Sequence, residues 1–291
     1  MSFSQMHPLT QFLFFLSAAC SALFSREPLF LLVSFVLAFA LRCIQIKSIR
    51  IFKEMFLFGL LFLATAGAVA LTSHNGKTAL FFINENAVTK QSLVFAACTG
   101  MKVLDVSCWL VCMAYIMSGE KIVYLLSGVF PRLSVFVSGM MRFLPAIKKQ
   151  YINIYHIQRC IYSGRKTLRK KAAVVLKSLS ALLTWIIESS ADSADSMYSR
   201  GYGLWGRSSM SIYRFRYVDF AIIALSVYAL FFTAAAKYFR VSEIKFYPVI
   251  SLPKSPVANI IIFILWTALM LIPVITEICE EYKWKLLRSK I

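Results

Sequence analysis

Residues 172–203 read AAVVLKSLSALLTWIIESSADSADSMYSRGYG, and whether this stretch crosses a membrane or lies against one decides the architecture. Its first half, Ala172 to Ile187, is apolar enough to span hydrocarbon, but basic residues flank it on both sides. Arg169, Lys170 and Lys171 precede it, and Arg200 and Arg207 follow. Charge of one sign at both ends favours a helix lying on the cytoplasmic face over one passing through. In the second half Glu188, Asp192 and Asp195 recur at i, i+4 and i+7 and share one helical face. Ser190, Ala191, Ser193, Ala194 and Met197 give a small, close-packing surface beside it. Gly201 supplies a left-handed stop, flanked by Ser199 and Arg200. Arg200 thereby falls in the last turn, where the negative end of the helix dipole favours a cation and the terminating backbone frees the side chain to project. Such an arginine seeks an anionic or carbonyl-rich partner. An ordinary basic cap has the same local sequence, so the rest of the chain must decide.

Composition predicts an all-α polytopic membrane protein. Hydrophobic residues make up 59% of the 291-residue chain, 25 of them Phe, and the mean hydropathy is +0.70, more than one soluble core can hide. Apolar stretches approaching the ~20 residues needed to span a bilayer lie at 9–24, 28–46, 55–72, 92–117, 218–236 and 257–276, giving about six transmembrane helices. The first resembles a secretion signal in length but has no basic leader and runs directly into the second, so the two are expected to stay as a hairpin.

The net charge is +19, and its distribution predicts topology, since basic loops are retained on the cytoplasmic side. Lys47, Arg50 and Lys53 mark the loop after the second span as cytoplasmic, whereas TSHNGKTALFFINENAVTKQ after the third faces outward. The fourth span returns the chain to a long basic region. Three parts follow: 1–117 with about four spans, 118–217 as an amphipathic cytoplasmic region, and 218–291 with the last two spans and a basic cytoplasmic tail.

The middle part is two-faced. Met140, Phe143, Leu144, Ile147, Tyr151, Ile154, Ile157 and Ile161 form an apolar stripe at helical spacing, with Arg142, Lys148, Lys149 and Arg159 mostly off it. Pro131 suits the first position of that helix, and Pro145 inside it removes one backbone bond and predicts a kink. A turn containing Gly164 and the cluster Arg165, Lys166, Arg169, Lys170 and Lys171 lead into the next long helix. Both helices are expected to lie beneath the membrane, against lipid headgroups or a partner.

Other function classes fit poorly. The basic residues sit on apolar segments without a nucleic-acid-binding signature, so nucleic acid is not an expected partner. Cys20, Cys43, Cys98, Cys108, Cys112, Cys160 and Cys279 are scattered in apolar sequence, and Cys108 and Cys112 share a helical face without a third ligand nearby, so no metal is expected. There is no phosphate-binding loop ending in Gly-Lys-Ser or Gly-Lys-Thr. Asp105, three residues after Lys102, is the one clear pair of ionisable groups within a predicted span, read as stabilising the bundle interior rather than marking a transport path. An intramembrane enzyme would need convergent catalytic groups at that depth, and a self-contained secondary transporter would show repeated halves with interrupted helices.

The chain resembles the transmembrane T component of energy-coupling factor transporters, the prokaryotic ABC-type importers of vitamins and metal ions. The resemblance covers nearly the whole sequence and rests on REPLF, the outer loop TSHNGKTALFFIN followed by AVTKQSL, YLLSGVFPRLSVFVSGMMRFLPAIKKQ and MYSRGYG in the family's order. It implies that the long helices are coupling helices and that the chain itself is not catalytic. Short arginine-centred motifs would dock in two ABC-type ATPase subunits, which bind ATP and Mg, and the helices would hold a membrane S component that binds substrate. By position, Arg200 with Ser199 and Gly201 matches the second motif. The first motif departs from the pattern: where a docking arginine and a glycine are expected, this chain has Ile161 and Tyr162. Either Arg159 or Arg165 from a neighbouring turn, or apolar contacts around Ile161 and Tyr162, would have to serve. Glu188, Asp192 and Asp195 are expected to support the helix by neutralising basic neighbours.

Overall fold

A computed structural model describes residues 3–25, 27–46, 50–73, 78–83, 86–161, 168–204, 213–238 and 256–288. After a 3-10 turn, Phe3–Gln5, the described helices are α1 (Pro8–Phe24), α2 (Pro28–Gln45), α3 (Arg50–Thr72), α4 (Lys90–Ile116), α5 (Gly119–Val129), α6 (Pro131–Ile161), α7 (Leu168–Ser199), α8 (Tyr217–Tyr238) and α9 (Pro256–Arg288). The protein is an all-α polytopic membrane protein. Among the described residues, the departure from helix is a hairpin of two short strands, β1 (Ala79–Ile83) and β2 (Asn86–Thr89), paired antiparallel with Phe82 opposite Ala87 and Ile83 opposite Asn86. The sequence reading had this stretch as an outer loop. Its Ala-Leu-Phe-Phe-Ile and Asn-Ala-Val-Thr runs are compatible with strands, but they are too short to stand out beside the long helices.

Helix starts follow local chemistry. Proline at the first position opens α1, α2, α6 and α9, where no amide donor is needed. His7 caps α1, its Nδ1 accepting the Leu9 N–H at 3.2 Å, and Thr89 caps α4 by accepting from Ser92 at 3.2 Å. α6 continues through Pro145 as one helix.

Among the described helices, six are long and apolar enough to cross a membrane: α2, α3, α4, α7, α8 and α9. The number agrees with the sequence reading but the membership does not. By length and composition α7 qualifies, and α1, at 17 residues, is the shorter apolar helix. The reason is that α7's acidic residues begin only at Glu188, leaving Ala172 to Ile187 with Lys177 as its one charged residue.

The chain divides into two compact units, Met1–Ser118 with Tyr213–Ile291, and Gly119–Ile212. In the first, the core gathers around Trp109 of α4, which is fully buried. Phe14 and Phe15 of α1 lie 6.0 and 6.2 Å from its ring, and its indole N–H donates to Ser34 of α2 at 3.0 Å. One turn on, the Cys112 thiol donates to the Ala38 carbonyl at 3.6 Å. Trp266 of α9 packs on Phe30 of α2 with ring centres 3.8 Å apart. α3 meets α4 where Gly100 has no side chain, since a Cβ there would come within 3.1 Å of the Ala66 Cβ.

These contacts fix which helix ends share a side. The start of α1 faces the later half of α4 through Phe14, Phe15 and Trp109. At that same end Arg42, in the last turn of α2, pairs with Glu54 near the start of α3 and lies over the ring of Tyr115 at the end of α4. The starts of α1 and α8 and the later half of α9 also meet, through His7 with Asp219 and Ser4 with Glu277. The bundle therefore alternates in direction along the chain.

The second unit has far less of an interior. α5 packs on α6 and α6 on α7. Its buried described residues are Lys121, Ser134, Val174, Ser178 and Leu182. The last three, at i, i+4 and i+8, form the buried stripe of α7. The apolar stripe expected on α6 divides: Phe143, Ile147, Tyr151 and Ile154 are half-buried, while Met140, Leu144, Ile157 and Ile161 remain exposed.

Candidate docking site at the end of the long helix

α7 ends in a complete Schellman motif. The Gly201 N–H donates to the Tyr198 carbonyl at 2.9 Å and the Tyr202 N–H reaches back to the Met197 carbonyl at 3.0 Å. Gly201 has φ +80° and Gly203 φ +98°, conformations in which a Cβ is strained. At Gly201 an added Cβ would also come within 3.0 Å of Leu204 Cδ1. Ser199 is exposed, its hydroxyl donating back along the helix to the Ser196 carbonyl at 3.0 Å.

Arg200 is thus the capping residue itself, one position past the last helical residue, and it is exposed. The oriented carbonyls of the preceding turn give it a favourable electrostatic seat. Around it stand exposed apolar groups that the sequence reading did not single out: Tyr198 at 82%, Leu204 at 72% and Tyr202 at 47% of their full exposure. A cation among open aromatic and aliphatic groups has the composition of an interface anchor. The signal was present in MYSRGYGL, where large apolar residues alternate with the cap, but only the cap geometry turns them outward together.

Glu188, Asp192 and Asp195 are all exposed and make no ion pair among the described residues. At the other candidate, Arg159 is exposed and Ile161, the final residue of α6, is 67% exposed. Tyr162 and Arg165 lie outside the described residues. The two ends are separate places: α7, with 32 residues, is about 48 Å long, whereas the seven steps from Ile161 to Leu168 reach at most about 25 Å, so Ile161 and Arg200 stand at least ~20 Å apart.

Inside the bundle, Asp105 is fully buried beside the Ser34–Trp109 hydrogen bond, and neither carboxyl oxygen has a hydrogen-bond partner. Lys102 is only half-buried. Sequence reasoning missed the Arg42 cluster, in which Nε and Nη2 donate to the two oxygens of Glu54 at 2.8 Å each and Nη1 donates to Gln45 at 3.2 Å. The ingredients are an arginine in the last turn of one apolar helix and a glutamate four residues past the start of the next. Among the described residues no group of three or more His, Cys, Asp or Glu could hold a metal ion.

No curated protein matches the chain. The sequence profile of the cobalt transport protein family, CbiQ, matches residues 2–212, which takes in α1 to α7 and the whole α7 cap, and leaves α8 and α9 beyond it. The chain belongs to this family of membrane components of cobalt transport.

Proposed function

We propose that this protein is the transmembrane scaffold and energy-coupling subunit of an energy-coupling factor importer. Two cytoplasmic ABC-type ATPases would hydrolyse ATP with Mg, and a separate membrane S component would bind the substrate. The family's name favours a transition-metal ion, cobalt, over a vitamin as cargo. The end of the bundle that gathers the starts of α1 and α3 and the ends of α2 and α4 would face the cytoplasm, because Lys47, Arg50 and Lys53 fall in the sequence around the junction of α2 and α3. α6 and α7 would lie on the cytoplasmic side of the membrane, as amphipathic coupling helices.

The observation that carries this reading is Arg200, exposed at a glycine-terminated helix end among open apolar side chains, within the stretch that matches the family. ATP-driven closure of the ATPases would pull on that anchor, and the rigid helix would transmit the pull over its length. The open apolar stripe Leu176, Leu179, Leu183 and Ile187, beside the buried one, offers the S component a contact surface. At the first docking position, Arg159 or the apolar Ile161 would meet the other ATPase.

Purification from the native membrane followed by identification of bound proteins tests the assignment. Two ABC-type ATPases and a small membrane protein are expected, with ATP-dependent metal uptake when the set is reconstituted. Uptake by this chain alone in liposomes would refute it.

A further inference from the structure

The first described residues form a buried tie between sequence-distant helices. Phe3 is fully buried, edge-on to Phe14 and Phe15 at 5.2 and 5.9 Å. Gln11, also fully buried, donates from its side-chain amide to the Phe3 carbonyl at 2.6 Å and the Met6 carbonyl at 3.1 Å, folding the segment back over the start of α1. From there two contacts leave for the C-terminal helices. The Ser4 N–H donates to Glu277 of α9 at 3.2 Å, and the His7 N–H donates to Asp219 of α8 at 3.3 Å.

Asp219 is the centre of this arrangement. It is 2% exposed, its Oδ1 accepts from His7, and its Oδ2 accepts from the Arg216 N–H at 3.1 Å, closing the first turn of α8. The His7 ring stacks on Phe215 at 3.6 Å between centres and meets Tyr213 edge-on at 6.4 Å. Residues 213–216 are the described end of the connection by which the chain enters α8. One carboxylate and one imidazole thus hold this connection to the start of α1.

We infer that Phe3–His7 is a clasp that positions residues 213–219 and the start of α8, so that a pull arriving along the chain at Tyr213 is passed to the bundle rather than taken up within these residues. The coupling part of this inference rests on the proposed function; the clasp itself does not. A connector pinned at both Phe215 and Asp219 transmits displacement, whereas one held only by its own helix turn yields.

Hydrogen exchange on the full-length protein in lipid nanodiscs tests the clasp without any partner. In Asp219→Ala both the His7 and the Arg216 amides lose a charge-assisted acceptor, so peptides covering 3–11 and 213–219 are expected to exchange about tenfold faster or more, with α4 peptides unchanged. His7→Asn keeps an N-cap acceptor but loses the ring stack, and is expected to loosen 213–216 while leaving the start of α1 protected. Faster exchange in 213–219 alone for Asp219→Ala would overturn the clasp. In the reconstituted transporter, His7→Asn is expected to lower metal uptake per ATP hydrolysed with ATPases still bound. An unchanged ratio despite loosened exchange would overturn the coupling role. Absence of ATPases from the wild-type preparation would instead count against the proposed function, leaving the exchange result to decide the clasp.

Discussion

The bundle and the α5–α7 unit both contain long helices, up to 33 residues in one and 32 in the other, yet they bury themselves to very different degrees. In the bundle, Trp109, Phe14, Phe15, Leu31, Leu41, Leu269 and Met270 are all sealed from outside. In the other unit, α6 with 31 residues and α7 with 32 contribute among their described residues only Ser134, Val174, Ser178 and Leu182 to the buried set. Phe136, Met140, Leu144, Leu176, Leu183 and Ile187 stay open. The difference teaches that apolar composition alone does not say what a helix is for. A helix closed on its neighbours is architecture, whereas one left half open at such length needs lipid or another protein to complete it.

If the contrast is real, the same kind of substitution must act differently in the two regions. Trp109→Ala removes the ring on which α1 and α2 both rest and is expected to cost about 4 kcal/mol, read as a large fall in thermal unfolding midpoint in detergent. Glu54→Ala comes next: it strands the buried Arg42 guanidinium and is expected to cost about 3 kcal/mol in the same measurement. Gly201→Ala places a Cβ at a left-handed position and against Leu204, worth about 1–2 kcal/mol at the end of α7. Limited proteolysis near residue 201 should speed up while bundle peptides stay protected. Leu176→Ser with Leu183→Ser should change the stability of the isolated chain by less than ~0.5 kcal/mol each, yet weaken recovery of membrane partners. A large loss of stability from that last pair would abolish the contrast.

The smallest effect is one of pH. Burial holds the His7 imidazole below its usual range, against the opposing attraction of the Asp219 carboxylate. The folded protein therefore prefers neutral His7, and this contribution is complete above the ordinary histidine range and declines as pH falls through and below it. Wild type should lose slightly more stability than His7→Asn between pH 7 and pH 5 in matched thermal scans.

Much of this was legible in the sequence, and for identifiable reasons. The spans were readable because crossing hydrocarbon demands length and composition, both local properties. The α7 cap was readable because a glycine is nearly obligatory where φ is +80°. The Arg42–Glu54 pair and the His7–Asp219 contact were not, since each depends on which helices become neighbours, and 212 residues separate the second pair. The α6 stripe was correct in period but silent on depth: periodicity marks a face, and only packing shows that Phe143 and Ile147 are half-covered while Leu144 is open.

The coupling role proposed for this protein turns on Arg200 as the anchor for an ATPase. The most direct measurement is quantitative co-purification of ATPases with full-length wild type and with Arg200→Glu, alongside thermal unfolding of both. The account predicts equal unfolding midpoints and a loss of about 2 kcal/mol or more in ATPase binding, on the order of thirtyfold in affinity. Undiminished ATPase recovery with Arg200→Glu would contradict it.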